Sequence, residues 1–196
     1  MATAALETRY TPEDLLAMPD EGRYELIDGQ LVERKMGAKS SYVATRLVTR
    51  VGSLADTRGL GLVFQSDCGC QVFKPDRNRV RYADGSFVRT GRLPDDEPPE
   101  GHCRIPPDIV IESVSPNDTA PEIEEKVNEW LAAGVQLVWV LYPKTQHIYV
   151  HRPGRTLTRL VPGDVLTGEE VLPGFKCRVA EIFNVVRSKT KRTPRR

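Results

Sequence analysis

Apolar residues along this chain alternate between two periods. Residues 40–57, "SSYVATRLVTRVGSLADT", place Val43, Leu47, Val51, Leu54 and Ala55 at helical spacing, with arginines on the other side. Gly59 and Gly61 end that helix. A second helical stripe, Ile123, Val127, Trp130 and Leu131, runs through "TAPEIEEKVNEWLAAG" and stops at Gly134. Between them lie three stretches with extended patterning: "GLVFQSDCGCQVFK", broken near Ser66-Asp67, then "RVRYADGSFV" and "IPPDIVIESVS". A Pro- and acid-rich loop, "GRLPDDEPPEGHCR", separates the last two. After the second helix, "VQLVWVLYP" reads as a buried strand, with "HIYVHRP" and "RTLTRLV" as further strands. Ahead of everything, Thr11-Pro12-Glu13-Asp14 signals a short capped helix, and Asp28-Gly29 signals a hairpin. The predicted class is α/β: helix, three strands, helix, strand, with a mixed sheet and extra β-hairpins.

Two acids interrupt this pattern. Glu112 sits inside "PPDIVIESVSP", and Asp84 lies in "VRYADGSFV". Interior strand positions seldom carry a charge without a partner or a task. Asp108 and Glu112 share a strand face, but residues four apart are about 13 Å from each other. Ligands of one Mg²⁺ each lie within about 2.1 Å of it, so those two cannot share a small cation. Asp84, on the preceding strand, is the better partner for Glu112. Gly85 beside it predicts either room for a close neighbour or a bulge. Asp108, following two prolines, is assigned to tying down loop amides. On the second helix Lys126 lies roughly 85° from the centre of the apolar stripe, where a lysine can reach a cleft beside the sheet. Its alternative is an ion pair with Glu122 or Glu129.

Composition adds limits. At 196 residues, one domain over 1–186 is expected, followed by a tail from Arg187 with six bases and no acid. Without the tail, 22 bases stand against 27 acids, so an acidic body carries a basic, flexible end suited to phosphate contacts. No run of about 18 apolar residues occurs and no secretory pattern opens the chain, so cytoplasmic location without a membrane span is expected. Cys68 and Cys70 are one residue apart, closer than zinc ligands are usually spaced. Structural thiols are therefore expected over a metal site with His102 and Cys103. His147 and His151 read as strand residues, not a helical metal pair, and no Gly-rich phosphate loop or nucleophile elbow is present.

Strand acid, strand acid, then lysine: this order resembles the PD-(D/E)XK nuclease superfamily. More closely, "YELIDGQLVE", "VRYADGSFV", "PPDIVIESVSP" and "EEKVNEWLAAGVQLVWVLYP" resemble, in order, the segments of the Uma-type restriction endonucleases over about residues 10–180. The resemblance implies a restriction-endonuclease-like core. It implies Asp84 and Glu112 as the two metal-holding acids, and Lys126 as the lysine displaced from strand to helix. Glu25, ahead of the first long helix, would bind a second cation or hold Lys126. Ala83 replaces the usual proline, and Val114 stands at the strand position of the usual lysine, so activity turns on Lys126 reaching the site.

The implied chemistry is hydrolysis of DNA by an endonuclease holding Mg²⁺, or Mn²⁺, on Asp84, Glu112 and a backbone carbonyl near Ser113, leaving a 5′-phosphate and a 3′-hydroxyl. Symmetric cutting of a duplex would favour a homodimer. Two alternatives stand beside it. One is a catalytically degenerate nucleic-acid binder on the same fold, using the tail and Arg46, Arg50 and Arg58. The other is a structural module whose strand acids pair with Arg81 or Arg104.

Overall fold

The structure, a computed structural model, describes residues 8–184 except Met36, Pro75, Arg155 and Thr156. The basic segment from Arg187 lies outside the described residues. Helix α1 (Pro12–Leu16) opens with the expected capping box between Thr11 and Asp14. Strands β1 (Tyr24–Ile27) and β2 (Gln30–Glu33) form the hairpin, turning through Asp28 (φ 51°) and Gly29 (φ 79°). Both central residues are left-handed, which matches the twist of the strands they join. Helix α2 (Ala38–Arg58) follows and ends at Gly59, whose φ of 60° favours glycine.

The main sheet takes β3 (Gly61–Gln65) from beyond that helix. A two-stranded piece, β4 (Gly69–Cys70) with β5 (Arg81–Tyr82), stands apart. The sheet continues with β6 (Gly85–Arg89) and β7 (Ile109–Ser113). Helix α3 (Ala120–Ala133) then crosses to β8 (Leu137–Tyr142), which is followed by β9 (His147–His151) and β10 (Thr158–Leu160). Strand order is β10-β9-β8-β7-β6-β3. Only β7 and β8 pair parallel in it, as the α3 crossover between them requires; the other pairs are antiparallel. The hairpin β11 (Val165–Thr167) with β12 (Lys176–Arg178), and helix α4 (Val179–Phe183), complete the described chain. No described helix is long and apolar enough to cross a membrane.

Strand alternation divides the core in two. Ile109 and Ile111 of β7 join Val43, Leu47 and Val51 of α2 in one cluster, while Val110 joins Val127 and Trp130 of α3 in the other. Glu112, two residues beyond Val110, therefore projects toward α3.

Two expectations need correction, and the alternatives at Gly85 resolve. "RVRYADGSFV" is not one strand: it breaks at Ala83-Asp84 into β5 and β6. Of the two alternatives at Gly85 the close neighbour holds, since the strand pairs regularly there without a bulge. A Cβ there would lie 2.3 Å from Val48 Cγ2, so the glycine lets α2 settle on the sheet. Of the α2 arginines, Arg46 and Arg50 are engaged within the protein, while Arg58 is exposed. Arg46 Nε donates to the Glu181 and Ile182 carbonyls at 3.0 and 3.1 Å, and Arg50 donates to the Arg46 carbonyl at 2.8 Å. The Arg58 guanidinium lies against Gly174.

Asp108 is fully buried. It accepts from the Arg89 amide and Arg89 Nε, both at 2.9 Å, and from Gln136 Nε2 at 3.2 Å, and it pairs with Arg92 at 2.7 Å. It anchors the loop after β6 and the turn before β8, the structural assignment made above. His102 Nε2 faces the Pro12 carbonyl at 3.2 Å and all four cysteines are free. Among the described residues no group of three or more His, Cys, Asp or Glu is arranged to hold a metal.

Candidate active site

Where β6 begins, its ladder with β7 stops at the Gly85–Ile111 pair. Asp84 continues the pairing with its side chain: the Ser113 amide donates to Asp84 Oδ2 at 2.7 Å. Asp84 thereby stands beside the Glu112 position on the next strand. Both line a cavity of about 660 Å³ at this end of the sheet, closed by the β1–β2 hairpin, the start of α2 and the inner side of α3.

Lys126 enters this cavity from α3. Its Nζ lies 3.1 Å from Glu112 Oε2, 3.2 Å from Glu25 Oε1 and 3.1 Å from the Tyr82 carbonyl. The alternative of a surface pair with Glu122 or Glu129 does not occur. Glu122 bonds Lys35 and Thr119, while Glu129 pairs with Arg79 and Arg81. Glu25 is held by both oxygens: Oε2 accepts from Arg81 at 2.8 Å, and Oε1 accepts from the Tyr82 amide at 3.1 Å beside Lys126. Of the two roles offered for Glu25, holding Lys126 matches this geometry. Neither Asp84 nor Glu112 pairs with Arg81, and among the described residues Arg104 pairs with Glu13, at 4.0 Å, so neither arginine named for that alternative holds these acids.

Three residues of this constellation escaped the sequence reading in these roles. Arg81 joins Glu25 to Glu129, and Arg79 continues from Glu129 to Asp28 and Asp76. The signal was present: Arg79 and Arg81 sit two apart, on one side of the β5 segment, and Glu129 follows Lys126 by almost one helical turn. Trp130, read only as part of the apolar stripe, donates Nε1–H to Glu112 Oε1 at 2.8 Å.

Charge is unbalanced here. Ion pairs join three bases, Lys126, Arg81 and Arg79, to five acids, Asp28, Asp76, Glu129, Glu25 and Glu112, and a sixth acid, Asp84, lies within reach of the Lys126, Arg34 and Asp118 charges. Burial raises the Glu112 carboxyl to about 7. Lys126 opposes that rise, and the Asp84 and Glu25 charges add to it. Asp84 is also raised by burial, partly offset by Lys126 and the Ser113 amide. Burial works against the Lys126 charge, yet Glu112, Glu25 and Asp84 together hold its pKa above the ordinary lysine value. Glu25 goes the other way. Burial pushes it up, but Lys126 and Arg81 prevail and bring it to about 2.

A divalent cation fits this surplus. Mg²⁺ is held by one or two carboxylates with waters and substrate phosphate filling the shell. Asp84, just before β6, and Glu112, in β7, supply two carboxylates in a cavity whose lining has more acids than bases.

Residues 12–180 match the family described as "Uma2: Putative restriction endonuclease". Among solved structures, one described as a "putative nuclease belonging to DUF820 from Anabaena variabilis ATCC 29413" superposes with a TM-score of 0.73. It is 21% identical, with 88% of this chain and 97% of that one covered, so the two share a fold. No curated protein matches.

Proposed function

Since the chain belongs to the Uma2 family, described as putative restriction endonucleases, we propose that it is a metal-dependent phosphodiesterase that hydrolyses DNA internally through Asp84, Glu112 and Lys126. One observation carries the reading. Lys126 comes from a helix, yet its ammonium lies 3.1 Å from the Glu112 carboxylate, in the cavity that also holds Asp84. That supplies the lysine which Val114 cannot.

Asp84 and Glu112 would hold Mg²⁺, or Mn²⁺ in its place, and the Ser113 backbone carbonyl would be the neutral oxygen on the same ion. Bound there, the ion supplies a more acidic water and a polarised phosphate. The residues of the chain do the rest. The Ser113 amide fixes Asp84. Glu25 and the Tyr82 carbonyl hold the Lys126 ammonium in the cavity. From there Lys126 orients the attacking water by hydrogen bonding and stabilises charge developing on the phosphate oxygens. Arg81 keeps Glu25 ionised, so the ammonium retains its counter-charge.

The test is calorimetric titration of Mn²⁺ into wild type and Glu112→Ala, with hydrolysis of mixed-sequence DNA followed in parallel. Wild type should take up Mn²⁺ and the variant should not, while circular dichroism shows both folded. Hydrolysis, where a substrate is found, should fall about 10²- to 10³-fold. Equal Mn²⁺ uptake by the two proteins would remove Glu112 from the reading.

A further inference from the structure

Lys126 and Trp130 are four residues apart on α3 and so project from one side of it. Both meet the same carboxylate. Trp130 Nε1 donates to Glu112 Oε1 at 2.8 Å, and Lys126 Nζ lies 3.1 Å from Oε2. The two donors differ in kind. The ammonium is a full charge, shared with Glu25 and the Tyr82 carbonyl. The indole N–H is a neutral donor that never titrates and accepts nothing. Trp130 has no exposed surface, and its ring packs on Phe73 with centroids 5.0 Å apart. Its hydrogen bond is therefore built into the core, and Oε1 is the oxygen it claims.

Building on the metal site proposed above, we infer that Trp130 is a positioning residue that makes Glu112 a one-oxygen ligand and so biases the site toward Mg²⁺ and Mn²⁺ over Ca²⁺. The physical reason is coordination number. Mg²⁺ requires near-octahedral geometry with single oxygens at about 2.0–2.1 Å. Ca²⁺ takes 6–8 oxygens at about 2.3–2.6 Å and uses both oxygens of a carboxylate readily. With Oε1 held by the indole, only Oε2 is left for an ion, which would share it with the Lys126 ammonium 3.1 Å away, and a larger ion loses one of its donors. Partners that orient a ligand commonly account for about 10- to 100-fold in metal affinity.

The experiment compares Mn²⁺ and Ca²⁺ affinities, by calorimetry at fixed pH, in wild type and Trp130→Phe. Phenylalanine keeps an aromatic ring and removes the N–H. Mn²⁺ affinity should fall about 10- to 100-fold while Ca²⁺ affinity falls less or rises, so the ratio between them narrows. A general packing defect would weaken both alike. A folded variant with an unchanged ratio overturns the inference and leaves the metal site standing. Failure of wild type to bind Mn²⁺ overturns both.

If Trp130→Phe does not fold, ¹⁵N spectra of wild type and Glu112→Gln decide the matter. The chain has two tryptophans, and the Trp139 nitrogen has no hydrogen-bond partner, so its indole signal is an internal reference. The other indole signal should move in Glu112→Gln and should remain hydrogen-bonded in wild type saturated with Mg²⁺. Its release on Mg²⁺ saturation would show Glu112 turning both oxygens to the ion, and would overturn the inference.

Discussion

Glu25 and Glu112 both bond Lys126, and their surroundings differ in one respect. On the hairpin side, Glu25 meets Lys126, Arg81 and a backbone amide, and Arg81 passes to Glu129 and on to Arg79. Every charge there has an answering charge, and Glu25 is pulled down to about 2. On the sheet side, Glu112 has a shared ammonium and a neutral indole, with Asp84 as an acidic neighbour, and it rises to about 7. Two glutamates touching one lysine are thus driven in opposite directions. A closed charge network makes structure, whereas a surplus left open to a cavity is what the proposed cation would answer.

The largest effect should come from breaking the closed side. Arg81→Ala leaves Glu25 and Glu129 without a main partner in a buried setting, and removing one member of such a pair costs about 3–5 kcal/mol. Urea unfolding would report it. Glu112→Gln, which keeps an acceptor for Trp130, should cost nothing at pH 8 in the absence of metal and should raise stability by removing surplus charge. If Arg81→Ala is harmless and Glu112→Gln destabilises, the comparison is reversed.

Acidity separates the same two residues more gently. The Glu25 pKa is depressed on folding, so its contribution is complete above about 4.5 and is lost as pH falls toward about 2. The Glu112 pKa is elevated, so between about 4.5 and 7 the folded protein holds a proton that the unfolded chain releases. Metal-free stability should therefore fall as pH rises through that window, by at most about 1.4 kcal/mol per pH unit. Glu112→Gln should abolish that upper slope and leave the acid limb intact. Mn²⁺ must displace the same proton, so its affinity should weaken about tenfold for each pH unit below 7. A flat Mn²⁺ profile from pH 5 to 8 would mean Glu112 is ionised throughout.

Much of this was readable from the sequence because it rests on local periodicity. Alternation along "DIVIES" puts Glu112 on the α3 side, and the offset of Lys126 from its stripe puts it at the edge of the same space. The hairpin and caps follow from Asp28-Gly29 and from Thr11 with Asp14. What was not readable depends on register and distance between elements far apart in sequence. Arg81 and Glu129 are 48 residues apart, and nothing local pairs them. Trp130 fills an apolar position, so its N–H was hidden behind its bulk. Gly85 predicted a close neighbour or a bulge, but not that the neighbour would be Val48 of α2, across the face of the sheet.

The smallest effect tests where the network ends. Lys35, just past β2, bonds Glu122 on α3 at 2.6 Å, across the edge of the cavity. By distance alone it is as good a pair as Arg81 with Glu25. Its two side chains, however, are 38% and 53% exposed, against 10% and 8% for the buried pair. Water and salt screen it, and ordering two long side chains offsets what attraction remains. Lys35→Ala should leave the urea midpoint and Mn²⁺ affinity unchanged within error, at both low and high salt. A clear loss of Mn²⁺ affinity on that substitution would extend the functional charge balance out to the rim, and the boundary drawn here between closed network and open site would have to move with it.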